Sequence, residues 1–214
     1  MPNLEFENKY DGLVCGVDEV GRGPWAGPVV TCAVALKASL PEHILQELDD
    51  SKKLTDKKRQ ALFEPLKYYF HYSIAEATVK EIDELNILKA TMIAMKRAVE
   101  NLNESLDNKL VHALIDGNKE PDLNIPQTTI IKGDSQSISI AAASVIAKVS
   151  RDLLMQKLAK EFPYYGWERN AGYGTKAHIQ GIKDYGICEH HRTSFAPIKN
   201  AMENIQTENY HKDY

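Results

Sequence analysis

Three short apolar runs in this chain, LVCGVD, LVHALID and TTIIKGD, close on an aspartate: Asp18, Asp116 and Asp134. Runs of this length, rich in Val and Ile and bounded by turn residues, read as β-strands. In an open α/β sheet ligands gather at the carboxyl ends of strands, so three acids remote in sequence can converge on one rim. Asp134 taken alone is equally a carboxylate placed before a helix, where the helix dipole favours negative charge. The conjunction of three strand-end acids is what points to a site.

The rest of the chain supplies elements to surround these strands. PVVTCAVAL reads as a strand neighbouring the first, and YYFHYSIAEAT, residues 68–78, as another. Between them lies a charged helical crossover, SKKLTDKKRQALFEPLKYY, in which Thr55 is placed to cap a helix. From Val79 the apolar positions Ile82, Leu85, Leu88, Met92, Met95 and Ala98 recur every three or four residues, which predicts one helix with one buried face. SISIAAASVIAKVSRDLLMQKLAKEF, free of Gly and Pro, predicts a long helix packed closely through Ala141 to Ala143. Beyond Pro163 come loops rich in Gly and Tyr, two short helical patterns near 176–185 and 195–206, and a tail, QTENYHKDY, expected to fray. The order of elements predicts an α/β fold: one mixed five-stranded sheet flanked by helices, residues 1–162 forming the core and 163–214 a small C-terminal helical extension packed on it.

Composition excludes several classes. With 43% hydrophobic and 26% charged residues the chain is ordinary globular protein, and no apolar run approaches the roughly 18 residues of a membrane span. The N-terminus, MPNLEFENKYDG, lacks a basic start and an apolar signal core. Cys15, Cys32 and Cys188 are an odd set without C-x-x-C spacing, which fits free thiols in a reducing cytoplasm. The net charge of -4 argues against a polyanionic partner, but the C-terminal third is locally basic. There Lys157, Lys160, Arg169, Lys176, Lys183, Arg192 and Lys199 outnumber Glu161, Glu168, Asp184 and Glu189, so a polyanion can dock.

Glu19 stands beside Asp18, and GRGPWAGP follows at once. Adjacent strand residues face opposite sides, so these two acids share a ligand only if the chain leaves the strand there, a bend Gly21 and Gly23 permit. Four acids gathered without basic partners repel and raise one another's pKa unless cations neutralise them. Oxygen ligands suit Mg²⁺ or Mn²⁺ rather than Zn²⁺. Two hard cations roughly 4 Å apart on such a cluster serve in-line displacement at phosphorus, which predicts phosphodiester hydrolysis. A dinucleotide cradle at Gly21, Gly23 and Gly27 is disfavoured, because such cradles open onto a helix and here Pro24, Pro28 and a strand follow. CEHH, Cys188 to His191, has zinc-ligand residue types, yet consecutive residues rarely face one ion. Those histidines and Arg192 are instead expected on a basic nucleic-acid face.

GVDEVGRGPWAGPVV, DELNIL, LIDGN, KGDSQSISIAAASVIAKVSRD, GYGT and EHHRTSFAP, in that order from about Val14 to Pro197, resemble the bacterial ribonuclease HII family, the type 2 ribonucleases H. The resemblance implies an RNase H-like sheet and a metal-dependent endonuclease. Such an enzyme cuts the RNA strand of RNA/DNA hybrids and the 5′ side of single ribonucleotides embedded in duplex DNA, leaving a 3′-hydroxyl and a 5′-phosphate, as in ribonucleotide excision repair and DNA replication. Asp18, Glu19, Asp116 and Asp134 match the family's four catalytic, metal-binding acids. Gly21, Arg22 and Gly23 correspond to its GRG segment, whose backbone holds the ribose 2′-OH and the adjacent phosphate; only ribose offers that hydroxyl. Tyr173 of GYGT corresponds to the tyrosine that stacks on the following deoxyribose. Lys52, Lys53, Lys148 and Arg151 are candidate phosphate contacts. Trp25 departs from the family, where Leu is frequent. A type 3 ribonuclease H and a non-catalytic hybrid-binding protein are the alternatives; the first lacks GRG, and the second would have lost an acid. Nothing resembling a zipper is evident, so a monomer is expected.

Overall fold

The computed structural model describes the backbone of residues 1–210 and the side chains of residues 1–203. The expected fraying of residues 206–214 concerns side chains outside that range and, from 211 on, backbone outside it as well.

The sheet contains β1 (Leu13–Val20), β2 (Val29–Leu36), β3 (Phe70–Ala77), β4 (Leu110–Asp116) and β5 (Gln127–Ile130) in the spatial order β3-β2-β1-β4-β5. β1 runs antiparallel to β2 and parallel to β4, and β4 runs parallel to β5. The mixed five-stranded sheet is thus the one expected. The helices are α1 (Glu42–Glu47), α2 (Asp56–Tyr69), α3 (Val79–Leu85), α4 (Ile87–Ser105), α5 (Ile138–Glu161), α6 (Trp167–Asn170), α7 (Lys176–Tyr185) and α8 (Ala196–Tyr210). Thr55 caps α2 by accepting from the amide of Lys58. Among the described residues no helix is long and apolar enough to cross a membrane.

One expectation needs correction. The apolar period from Ile82 to Ala98 does not belong to a single helix, because Asn86 adopts a left-handed φ of 71° and separates α3 from α4. Its side-chain oxygen then accepts from the amides of Leu88 and Lys89, starting α4 afresh. The period survives the break because both helices keep their apolar face inward.

The described chain forms two compact units. The first comprises Met1–Val20, Val30–Glu76 and Thr91–Ser150; the second comprises Gly21–Val29, Ala77–Ala90 and Arg151–Tyr214. In the first unit the strands' two-residue alternation sorts side chains between two cores. Cys32 and Val34 of β2 join Ala141 to Ala143, Val145 and Ile146 of α5, while Ala33 and Ala35 join Met95, Ala98, Val99 and Leu102 of α4. The sheet is therefore covered by α5 on one face and α4 on the other. In the second unit Trp167, Tyr165, Met155, Ile182 and Ile198 form a separate apolar cluster.

α5 can lie this close to β1 because position 16 is glycine. A Cβ built there would overlap main-chain atoms of Ser139 and Ile140, which cannot yield as a flexible side-chain tip would. Gly16→Ala should therefore destabilise the protein by about 3 kcal/mol and lower Tm by about 10 °C. Thermal unfolding followed by circular dichroism checks this.

Candidate active site

The register of the central parallel strands brings the first two acids together. Val17 of β1 lies level with Ile115 of β4, so Asp18 and Asp116 follow side by side at the strands' carboxyl ends. Cys15, Val17, Ala113 and Ile115 face the α4 core, so the alternation sends Asp18 and Asp116 to the opposite, α5 face. The chain delivers the third acid there. After β5 it turns through Lys132, at a left-handed φ of 55°, into a short 3₁₀ turn, Gly133–Ser135, immediately before α5. The amide of Gly133 donates to Asp116 Oδ1 at 2.7 Å, tying this turn to β4. Carboxylate oxygens of Asp18, Asp116 and Asp134 consequently lie within 4.8 Å of one another.

Glu19 is placed differently. β1 continues through Val20, with Glu19 level with Thr31 and Val20 with Val30, so the bend expected at the two acids falls after them. Continued pairing with β2 is the reason, and it leaves Glu19, half-buried, outside the group of three. Its charge still acts on Asp18, whose own Oδ1 accepts from the Glu19 amide at 2.7 Å.

Electrostatics of the group show its need for positive charge. Burial holds the Asp18 carboxyl well above the usual range, and Glu19, Asp116 and Asp134 push it further the same way. Asp134 is pushed up to about 6 by burial, by Asp116 and by Asp50, with which it shares a hydrogen bond. Asp50 is a neighbour the sequence reading missed; its only signal is its place just before SKKL. Lys52 answers these charges. Partial burial lowers its pKa, but Asp18, Asp50, Asp134 and Glu19 outweigh that and raise it. Lys53 is exposed and bonded to Asp49 at 3.0 Å, and Lys148 is half-buried on α5.

The second unit holds the GRG loop. Gly21 is buried, whereas Arg22 and Gly23 are exposed. The ring of Tyr173 lies beside Gly23, where an added Cβ would stand 3.3 Å from Tyr173 Cε1. Arg151, expected as a phosphate contact, and Arg192, expected on a basic nucleic-acid face, instead turn inward. Both are buried, at 1% and 0% exposure, and their guanidinium groups are spent on main-chain carbonyls. Arg151 donates to the carbonyls of Pro28, Ala26 and Ala171. Arg192 donates to those of Gly27, Arg22, Pro24 and Gly21 at 2.6–3.0 Å. Burial and the neighbouring Arg151 draw Arg192 down to about 9, with Asp83 pulling the other way. His191 is buried as well, so CEHH is not an exposed basic face. Among the described residues the only group of potential metal ligands is the aspartate trio.

Comparison with known proteins gives these features a setting. The fold matches the crystal structure of ribonuclease H2 from Pyrococcus horikoshii with a TM-score of 0.69 and 27% identity, covering 91% of this chain and 99% of that one. The Mn²⁺ complex of Bst-RNase HIII shares the fold at a TM-score of 0.70 and 18% identity, over 89% of this chain and 69% of that one. The class is accordingly that of the ribonucleases H, endonucleases of α/β fold. The family model for ribonuclease HII matches residues 15–198. A ribonuclease HII from Paramagnetospirillum magneticum is 50% identical over 203 residues, spanning 94% of this chain and 99% of the relative. The chain belongs to the ribonuclease HII family, which decides against the type 3 alternative.

Two outcomes follow. A carboxyl whose folded-state pKa is raised contributes stability below its ordinary pKa and loses it as pH rises through the raised value. In EDTA, therefore, Tm should fall between about pH 4 and pH 7, and Asp134→Asn should raise Tm at neutral pH with no gain at the acid end. Differential scanning calorimetry across pH measures both. Arg192→Lys replaces a forked donor by a single ammonium and strands buried carbonyls at about 1–3 kcal/mol each. It should lower Tm and speed hydrogen exchange across residues 21–28, read by mass spectrometry.

Proposed function

We propose that this ribonuclease H works with bound divalent cations, hydrolysing the RNA strand of RNA/DNA hybrids and cutting on the 5′ side of single ribonucleotides embedded in duplex DNA. The products carry a 3′-hydroxyl and a 5′-phosphate. The observation that supports this reading most is the group formed by Asp18, Asp116 and Asp134. An all-oxygen donor set, two of whose members resist ionisation through burial and mutual repulsion, suits a hard divalent cation such as Mg²⁺ or Mn²⁺.

Asp18 and Asp116 would hold the metal pair, with Glu19 and Asp134 completing its shell. Bound there, two such ions supply an activated water and charge stabilisation at the leaving oxygen. The chain's other residues bind and orient the nucleic acid. The backbone of Gly21, Arg22 and Gly23 receives the ribose 2′-hydroxyl and the adjacent phosphate, which separates ribose from deoxyribose. The half-exposed Tyr173 stacks on the deoxyribose that follows. Lys52, Lys53 and Lys148 meet phosphates of the duplex. The protein acts as a monomer in the cytoplasm, on DNA carrying ribonucleotides left by replication and removed by excision repair; its free thiols suit that compartment.

The test is a labelled DNA duplex with one internal ribonucleotide, incubated with protein and Mg²⁺, Mn²⁺ or EDTA, with the product ends mapped. Cutting just 5′ of the ribonucleotide with either metal and none in EDTA is expected. Asp116→Asn should lower turnover at least about a hundredfold. Near-full turnover by that variant in saturating Mg²⁺ would refute the assignment.

A further inference from the structure

Two buried histidines stand behind Tyr173, and the reaction just described gives them no task. His178 and His191 are 0% and 1% exposed, and their Nε2 atoms face each other at 3.0 Å. Obligatory donors decide where their protons sit. The main-chain N–H of Cys188 donates to His191 Nδ1 at 3.0 Å, so the proton of His191 is on Nε2 and points to His178. The indole N–H of Trp167 donates to His178 Nε2 at 3.1 Å, so that nitrogen is an acceptor and the proton of His178 is on Nδ1. His178 Nδ1–H then donates to the main-chain carbonyl of Tyr173 at 3.0 Å. The chain of bonds has one direction: from Cys188 to His191 to His178 to Tyr173.

A second proton on either ring would confront one of those fixed donors, so both rings are neutral. Burial, which lowers both pKa values and brings His191 to about 4, agrees with this. The last bond is not required to satisfy the carbonyl, because Tyr173 O already accepts from the amide of Thr175 at 2.8 Å. Nor is it needed to begin α7, whose cap is Thr175. Its effect is to restrain the main chain of a residue that is 51% exposed and whose ring lies beside Gly23. On the Tyr173 side the Asn170 carbonyl receives the Tyr173 amide at 2.9 Å, so the residue is held from both ends.

We propose that the His178–His191 pair is a positioning device for Tyr173, fixing its main chain so that the ring meets the junction between ribose and deoxyribose at a set angle. The inference rests on the reading of Tyr173 as the junction sensor. His178 is thus a positioning residue that acts on specificity without touching substrate.

The two amide replacements of His178 separate the roles. In His178→Asn the amide nitrogen takes the place of Nδ1 and keeps the bond to the Tyr173 carbonyl. In His178→Gln it takes the place of Nε2 and loses that bond. Both cut the relay, so both disturb packing. Each variant, with wild type and Tyr173→Ala, is assayed for kcat/KM on a duplex with a single ribonucleotide and on an all-RNA/DNA hybrid. We expect Tyr173→Ala and His178→Gln to lower the ratio of the two by about tenfold, the worth of roughly one hydrogen bond, and His178→Asn to preserve it. An altered ratio in Tyr173→Ala with an unaltered one in His178→Gln, or equal changes in both histidine variants, would overturn the positioning role and leave the sensor reading intact. An unaltered ratio in Tyr173→Ala would remove the sensor reading and the inference with it. Should the variants fail to fold, ¹⁵N spectra of the wild-type imidazoles decide: His178 protonated at Nε2, or either ring titrating near its ordinary pKa of about 6.5, overturns the relay.

Discussion

The parallel pairing of β1 with β4, with α5 seated on the face both strands present, is the constraint from which the acidic group follows. Because the register sets Val17 level with Ile115, the next residue on each strand is an aspartate on the same face. Because Gly16 carries no side chain, the start of α5 lies against that face, and the turn preceding the helix arrives beside the two carboxylates. A one-residue slip in register would turn the acids to opposite faces of the sheet. The site is thus a property of strand register and helix seating, to which Asp134 adds only a short tether, the bond from Gly133 to Asp116.

The second unit solves a different problem. Its loop from Gly21 to Pro28 has little regular structure, so its carbonyls need partners from elsewhere. Arg151 and Arg192 supply them. A guanidinium offers five donors in a rigid plane, which lets one side chain bind carbonyls spread over several residues where an ammonium would reach few. The carbonyls that Arg192 binds are neutral dipoles, and burial draws its pKa down while Asp83 pulls the other way. The exposed part of the loop so held is Arg22 and Gly23.

What could be read in the sequence beforehand divides along a physical line. The strands, the long helix, the Thr55 cap and the three strand-end aspartates were legible because each depends on local pattern: two-residue alternation, absence of Gly and Pro, a capping side chain, a run ending in an acid. The break at Asn86 was not, because the same apolar face continues across it. The separation of Glu19 from Asp18 followed from strand alternation once β1 was seen to reach Val20. The buried arginines were illegible for another reason: charged residues are almost always solvated, and here all but one of the carbonyls that compensate burial, that of Ala171, come from a segment more than a hundred residues away in sequence. Asp50 likewise depends on a partner remote in sequence, Asp134, whereas the histidine chain closes within residues 167–191.

Both units keep a local arrangement that is unfavourable on its own and made tolerable by its surroundings, though they do so in opposite ways. In the first, the buried carboxylates push one another's pKa up, and Lys52 partly answers them. That repulsion costs stability, and a cation bound there would turn the same quantity into binding free energy. In the second, both buried arginines are bonded to main-chain carbonyls, and the histidine chain is bonded from end to end. Such satisfaction leaves little to gain from moving. On the function proposed above, a region that would grip a cation benefits from being unfinished, whereas a region that would discriminate one hydroxyl benefits from being rigid.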